Sequence, residues 1–279
     1  MRFCWLLMGL MMGFGAWAVE SAHPAVPKIY VAYPEVSDVN DPVYYYQQVL
    51  RLVLEKTRST DGDFELHYSK DYYSFDRATH MLMKGDRADV MWASVTPERE
   101  ALMQLIPHDL LRSLNNYRVL VIRPGDQQKF SRIASFEEFK QLTSGGGDRW
   151  TSTKILQMNG IKVSTAPYYG SIIKMLAAGR FDYISRGLHE ASGDLILGQH
   201  FASHVSIESS LLLQYQTPIS YSFFVNKTNL ELADRLNRGL ALAERDGSLV
   251  AVFDSMKIFR EASEFMKQNR RIFVLKNSP

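Results

Sequence analysis

The sequence contains 279 residues, of which 46% are hydrophobic, and this length and apolar content suit one large domain or two medium ones. Its 32 basic and 30 acidic residues leave a formal net charge of +2. Such a balanced chain lacks the basic stripe of a nucleic-acid binder or of a protein that binds anionic membranes. We therefore expect no nucleic-acid partner.

The first residues predict a secretory signal peptide, residues 1–18. Arg2 supplies a positive start, an apolar run follows as far as Gly15, and the small-x-small tripeptide AWA ends at Ala18. The run is shorter than the roughly 20 apolar residues that a spanning helix needs. We expect secretion across the inner membrane, cleavage after Ala18, and a periplasmic chain without membrane insertion. Because Cys4 is the only cysteine, the mature chain would have no disulfide and no thiolate metal site.

The first part of the mature chain alternates strands and helices. The predicted elements, in chain order, are a strand at residues 28–33, a helix at 43–57, a strand at 64–69, a helix at 75–84, a strand at 88–92 and a helix that opens at Thr96 and Pro97. This order predicts an α/β unit with a parallel sheet. Such sheets bind ligands at the carboxyl ends of their strands, beside helix N-termini.

The last helix of this unit contains an unusual charge. Thr96 is a good N-cap, Pro97 suits the first helical position, and Glu98 and Glu100 are favoured by the helix dipole. Arg99 is a cation at the positive end of the same helix. A bound anion would explain it, because arginine grips a carboxylate with two hydrogen bonds. An ordinary surface arginine paired with a nearby acid would explain it equally well.

A second unit of the same kind follows. Its predicted elements are a strand at 116–122, a helix at 136–142, a glycine loop at 143–148 that leads into a helix beginning at Asp148 or near Thr151, a strand at 161–165, a helix at 168–178, a strand at 181–185 and a helix opened by residues 186–195. The remaining predicted elements are extended segments at 203–216 and 219–226, a long amphipathic helix at 229–245, helical pieces at 249–253 and 259–266, and a short strand or tail at 271–275.

Two α/β units joined by extended segments predict two lobes. We expect the chain to cross between them near residues 121–125 and 216–220. The first lobe would contain residues 19–122 and 219–279, and the second would contain residues 123–218. A cleft between two such lobes is a natural site for a small ligand.

Four segments in this order resemble one known family. They are the pattern D-x6-T-x-E-R formed by Asp89, Thr96, Glu98 and Arg99, the segment IASFEEFKQL before the glycine loop, AAGRFDY after the second lobe's helix, and NLELADRLNRGL…ERDGSLVAVF near the C-terminus. The sequence resembles the amino-acid type of periplasmic solute-binding protein, family 3. The resemblance implies an α/β fold of type II with two lobes, each a mixed, mostly parallel sheet flanked by helices, and two hinge crossovers.

The resemblance also implies ligand-binding roles. An arginine at the position of Arg99 clamps a ligand α-carboxylate with the help of neighbouring hydroxyls, and a helix start in the second lobe contacts the same group. Aromatic residues from the first loops sandwich the ligand body. The predicted ligand-binding residues are Arg99, Thr96, Ser94, Trp92, Tyr33, Tyr44, Trp150, Thr151, Ser152, Thr153, Arg186 and Glu190.

One position departs from the family. The acid that usually holds a ligand amine would fall at Arg186–Gly187, where arginine has the wrong sign for an ammonium. Either Glu190 takes this role, or the ligand is not a simple α-amino acid. Arg99 and Arg186 together would suit a dicarboxylate or another anion. Alternatively, Arg186 forms an interlobe ion pair with Glu190 or Asp38.

Other functions have weaker support. The segment SGGGDRWTSTK lacks a glycine directly before Lys154, which argues against a phosphate loop, and the seven histidines show no zinc-ligand spacing. No nucleophile-elbow motif is present. We expect a monomeric binding protein with no catalytic residue, metal or cofactor, which passes a small carboxylate-bearing solute to an ABC permease. The alternatives are a dehydratase-like enzyme that uses Glu190 for proton transfer, or the ligand-sensing input to a membrane kinase.

Overall fold

The structure is a computed structural model and describes residues 26–71, 73–200 and 204–277. The predicted signal peptide and its cleavage site lie outside the described residues. Within the described ranges, no helix has both the length and the apolar character needed to cross a bilayer.

Strands and helices alternate along the described chain. The strands are β1 (Lys28–Pro34), β2 (Glu65–Ser69), β3 (Val90–Ser94), β4 (Gln104–Leu105), β5 (Tyr117–Ile122), β6 (Thr143–Gly147), β7 (Lys162–Ala166), β8 (Tyr183–Gly187), β9 (Ser206–Ile207), β10 (Leu211–Tyr215), β11 (Tyr221–Val225) and β12 (Arg271–Leu275). The helices are α1 (Pro42–Lys56), α2 (Arg58–Asp61), α3 (Phe75–Lys84), α4 (Pro97–Leu102), α5 (Gln127–Ser131), α6 (Phe136–Phe139), α7 (Thr151–Met158), α8 (Tyr169–Ala177), α9 (Ala191–His200), α10 (Leu230–Arg245), α11 (Ser248–Ser255) and α12 (Lys257–Lys267).

Local signals explain where several helices begin and end. Asp41 caps α1, since its carboxylate accepts a hydrogen bond from the Val43 amide at 2.8 Å. Thr96 caps α4 in the same way through the Arg99 amide, at 3.4 Å. Gly85 ends α3 in the left-handed conformation, with φ of 62°.

The strands form two sheets. The order in the first is β2-β1-β3-β11-β4, and the order in the second is β12-β10-β5-β8-β6-β7, with β9 beside β5. In each sheet the strands run in one direction except one, which is β11 in the first and β5 in the second. The predicted fold class, two lobes built on mixed, mostly parallel sheets flanked by helices, is confirmed.

The glycine loop predicted at residues 143–148 is wrong, because residues 143–147 form β6. A Cβ atom at Gly145 would collide with the Phe181 ring, and one at Gly147 would collide with the Trp150 indole. These glycines therefore let large side chains lie directly against the strand. Since such close approach is a tertiary property, composition alone favoured a loop.

The passages between the sheets differ from the prediction. The chain enters the second sheet through a 3₁₀ turn at Leu114–Asn116, so β5 belongs to that sheet and not to the first lobe. It returns through residues 216–220, as expected. A third passage was not predicted: β12 pairs with β10 in the second sheet. An apolar strand pattern identifies a strand but does not tell which sheet will accept it.

Helix α12 connects the two hydrophobic cores just before this third passage. Ile258 and Phe259 pack in the core of the first lobe, while Ala262, one turn later, packs with Val119 and Leu188 in the second. The lobes are therefore joined by packing as well as by the chain.

Candidate functional site

A cavity of about 690 Å³ lies between the two sheets. The first lobe contributes residues from the ends of β1 and β3 and from the starts of α1 and α3. The second contributes the start of α7 and the turn between β8 and α9. Nine of the predicted ligand-binding residues line it, namely Tyr33, Trp92, Ser94, Arg99, Trp150, Thr151, Ser152, Arg186 and Glu190.

Arg99 is half-buried in this cavity and bridges the two lobes. Its Nη1 donates to the Ser94 carbonyl at 2.6 Å and to Oγ1 of Thr151, across the cleft, at 3.4 Å. Its guanidinium carbon lies 4.3 Å from the centre of the Phe75 ring. Burial lowers the pKa of Arg99 below its usual value, the direction expected when a cation loses water. Among the residues that the structure describes, no carboxylate pairs with it.

The second lobe faces Arg99 with the start of α7. Trp150 occupies the N-cap position and offers no side-chain acceptor to the first amides of the helix, which begins at Thr151. Thr151 and Ser152 line the cavity. Free amides at a helix start, together with the helix dipole, favour an anion at this place.

Arg186 lies in the same cavity but is paired within its own lobe. Its Nε donates to Asp194 at 2.7 Å, and its Nη1 lies 3.5 Å from a Glu190 oxygen. Its guanidinium carbon lies 4.4 Å from the centre of the Tyr169 ring and 5.0 Å from that of Trp150. Although burial lowers the pKa of Arg186, the two carboxylates raise it more, and it stays above its usual value. The expected pair with Glu190 is therefore present, but it does not cross between the lobes.

Glu190 is held by several donors. Its Oε2 accepts from the Gly187 amide at 2.7 Å and from Arg118 at 3.5 Å, while Oε1 faces Arg186. Burial alone would raise the pKa of Glu190. The positive charges of Arg186 and Arg118 outweigh this effect, and the pKa falls to about 2. Next to it, burial lowers the pKa of His189 to about 4. At neutral pH this corner therefore contains an ionised glutamate and a neutral histidine.

Aromatic rings form the wall of the first lobe. Tyr46 stacks on Trp92 at 5.3 Å and on Tyr221 at 5.2 Å between ring centres, with interplanar angles of 26°. The Tyr33 hydroxyl donates to the Trp92 carbonyl at 3.0 Å. Burial raises the pKa of Tyr33 and Tyr221 far above the usual value, so these phenols stay neutral. The wall is therefore built of stacked, neutral aromatic rings.

Three predicted residues do not line the cavity. The Thr96 hydroxyl caps α4, and Thr153 donates to the Gly147 carbonyl at 2.9 Å. Tyr44 packs against the core of the first lobe, while Tyr46 reaches the cavity. Two residues along a helix point about 200° apart, so the YYY run could place only part of its rings inward.

Several residues of the cavity were not predicted. They include Tyr46, Phe75, Asn115, Arg118, His189 and Tyr221. Arg118 had a signal in the sequence, since a charged residue inside the apolar strand NYRVLVI needs a buried partner. Asn115 lies on the first crossover and Tyr221 directly follows the second, and only the fold brings them to the cleft. Within the described residues, no group of three His, Asp or Glu side chains could hold a metal ion.

No protein-family model matches this sequence, and no curated protein sequence matches it either. Solved structures do share its fold. The Bordetella pertussis BvgS periplasmic VFT2 domain is 19% identical, with a TM-score of 0.61 over 83% of this chain and 94% of that one. A histidine kinase sensor domain with similarity to periplasmic binding proteins is 16% identical, with a TM-score of 0.58 over 84% of this chain and 96% of that one.

A Salmonella typhimurium periplasmic binding protein with high arginine specificity is 17% identical, with a TM-score of 0.56 over 83% of this chain and 97% of that one. Identities this low show the fold and nothing finer. The chain has the two-lobe fold of periplasmic binding proteins.

Proposed function

We propose that this protein is a periplasmic receptor that captures a small carboxylate-bearing solute between its lobes. One observation carries the proposal: Arg99 is half-buried in the interlobe cavity, and no carboxylate pairs with it in the described part of the chain. Arginine is suited to a carboxylate because its planar fork makes two parallel hydrogen bonds.

Arg99 also gives the ligand a way to favour the closed arrangement of the lobes. Its guanidinium already reaches Thr151 on the opposite lobe, and the free amides of α7 begin at that residue. A carboxylate held from both sides would bind the closed arrangement more tightly than an open one. The population would then shift towards closure when solute binds.

Binding has more support than catalysis. The carboxyl that a dehydratase-like mechanism would use is Glu190, and Arg186 and Arg118 hold its pKa near 2 against the effect of burial. A general acid or base works best with a pKa near the working pH. Glu190 is therefore poorly matched to proton transfer, and we assign no catalytic residue.

The protein that receives the captured solute is an ABC permease in this proposal. A membrane sensor is the second candidate, because a histidine kinase sensor domain and the BvgS VFT2 domain share the fold. Uptake of the identified solute by cells lacking this protein separates the two. Reduced uptake supports transport, whereas unchanged uptake with altered kinase phosphorylation supports sensing.

A thermal-shift screen with matched carboxylates and carboxamides tests the proposal. A ligand at 100 times its Kd stabilises the folded state by about 2.7 kcal/mol, which is a shift of several degrees for a chain of this size. We expect at least one carboxylate to raise the melting temperature and its carboxamide to fail. Arg99→Ala should abolish the shift, while Arg132→Ala, at an exposed arginine outside the cavity, should keep it. A shift that survives in Arg99→Ala, or no shift with any carboxylate, contradicts the proposal.

A further inference from the structure

The cavity offers little to a positively charged ligand group. Among the described residues, three carboxylates line it, those of Asp41, Asp148 and Glu190. A carboxylate is the strongest partner that the cavity could offer to the ammonium of an α-amino acid, because a buried cation without a partner is strongly destabilised.

Glu190 is already surrounded by donors, which are positively charged guanidiniums and a backbone amide. One oxygen accepts from the Gly187 amide at 2.7 Å and from Arg118 at 3.5 Å, and the other lies 3.5 Å from Arg186. A ligand cation at this carboxylate would lie beside two guanidiniums. Repulsion between like charges would offset the attraction to Glu190.

The other two carboxylates are those of Asp41 and Asp148. Asp41 is half-buried, and burial raises its pKa. Its carboxylate caps α1 through the Val43 amide at 2.8 Å, so it is already engaged with the positive end of a helix. Asp148 is exposed and precedes Arg149, which pairs with Asp76 at 3.2 Å. Solvent screens the charge of an exposed carboxylate such as that of Asp148.

The charges in the interior favour an anion. Four guanidiniums of the described residues line the cavity. That of Arg149 is 73% exposed and pairs with Asp76. Those of Arg99, Arg118 and Arg186 are buried or half-buried. Two carboxylates answer them: Glu190 lies against Arg118 and Arg186, and Asp194 lies against Arg186. Arg118 and Arg186 are thus paired with carboxylates, whereas Arg99 has no carboxylate partner in the described part of the chain.

We propose that the ligand of this cavity is an organic monocarboxylate that carries no ammonium group. This inference rests on the proposed function, because it takes Arg99 as the site of the carboxylate. The single negative charge of the ligand matches the single unanswered charge of the interior. Its uncharged body contacts the aromatic wall formed by Tyr33, Tyr46, Trp92 and Tyr221.

Calorimetric titration with matched acids tests the inference. The probes are 3-phenylpropanoate against phenylalanine, 4-methylpentanoate against leucine, and pentanoate against norvaline, with glutarate as a dicarboxylate. In at least one pair we expect the acid without the amino group to bind more than about tenfold tighter, because its partner buries an unpaired ammonium. Tighter binding of the amino acids, or of glutarate, overturns the inference.

Two variants separate this inference from the proposed function. If amino acids bind and Arg99→Ala abolishes that binding, the proposed function stands and the inference alone fails. If no probe binds, both fail. Asp41→Asn should leave the ratio of affinities within each pair unchanged. A selective loss of amino-acid binding in this variant would place an ammonium at Asp41 and overturn the inference.

Discussion

Arg99 and Arg186 line the same cavity, but their surroundings differ in one decisive respect. Arg186 donates to Asp194 at 2.7 Å and lies 3.5 Å from Glu190. Within the described residues, the Arg99 guanidinium donates to a carbonyl and a hydroxyl, at 2.6 and 3.4 Å, and to no carboxylate. Both guanidiniums lie on aromatic rings, at 4.4 Å from Tyr169 for Arg186 and 4.3 Å from Phe75 for Arg99. The difference is therefore the carboxylates, not the rings.

The pKa values of the two arginines reflect this difference. Burial lowers the pKa of Arg99, and nearby groups do not restore it. Burial also lowers the pKa of Arg186, but Asp194 and Glu190 raise it above its usual value. A buried arginine whose charge is answered inside the protein supports the fold. A buried arginine whose charge is not answered is available to a ligand anion.

The largest expected effect is on the stability of the ligand-free protein. Arg186→Ala leaves the buried Asp194 without its cation, and breaking a buried pair by removing one partner costs about 3–5 kcal/mol. Arg99→Ala breaks no ion pair among the described residues, so we expect a change within about 1 kcal/mol. Urea denaturation of both variants measures this. Equal losses in the two variants would show that the two arginines are not different in kind.

The pH dependence of stability provides the second comparison. His189 lies in the same part of the cavity as Arg186 and Glu190. Burial lowers the pKa of His189 from 6.5 to about 4. The unfolded chain takes up a proton below pH 6.5 while the native protein does not, so stability falls as the pH drops from about 6.5 to about 4. The loss is up to about 3 kcal/mol, at 1.36 kcal/mol for each pKa unit.

The variant His189→Gln should flatten this part of the curve of urea midpoint against pH. Glu190 adds a separate decline at lower pH, since its pKa of about 2 lies below the usual 4.5 and its stabilisation is lost between those values. An unchanged slope between pH 6.5 and 4 in His189→Gln would mean that another group causes the upper decline.

Ligand affinity provides the third comparison between the two arginines. Hydrogen bonds to charged groups contribute about 1.5–3 kcal/mol each, so the loss of two such bonds in Arg99→Ala should weaken carboxylate binding at least about 100-fold. Arg99→Lys keeps the positive charge but loses the planar fork of the guanidinium. Its carboxylate affinity should lie between those of the wild type and Arg99→Ala. Calorimetry with the tightest carboxylate of the screen measures both. An Arg99→Lys variant as weak as Arg99→Ala would show that geometry matters and charge alone does not.

The smallest effect is expected at the exposed pair between the lobes. Arg149 and Asp76 lie 3.2 Å apart, and their side chains are 73% and 60% exposed. Exposed pairs contribute about 0.2–1 kcal/mol, so Arg149→Gln should change affinity by less than about fivefold. The residual effect should shrink at high salt. A loss as large as that of Arg99→Ala would mean that lobe closure depends on surface charge.

Much of the Arg99 side could be predicted because its signals are local. Thr96, Pro97 and the preceding apolar strand fix the start of α4, and a cation at that end of a helix needs an explanation wherever it occurs. The sequence also showed that Arg186 is positively charged where the family it resembles has an acid. The carboxylate that pairs with Arg186 belongs to Asp194, eight residues further on in the first turn of α9.

The rest could not be predicted, because it depends on contacts between distant segments. β6 contains three consecutive glycines and became a strand only through the large side chains that cover it. β5 and β12 joined the second sheet because β10 pairs with both. Arg118 and Tyr221 reach the cavity from the two segments that flank the crossovers. No local sequence pattern predicts these contacts between distant segments.

A crystal structure of the protein with the tightest carboxylate of the screen tests the central claim most directly. We expect the carboxylate oxygens within hydrogen-bond distance of the Arg99 guanidinium, near Thr151 and the start of α7. The contact between Arg186 and Asp194 should be retained. A carboxylate bound to Arg186 or Arg118 instead, with Asp194 or Glu190 displaced and Arg99 unoccupied, would contradict the account.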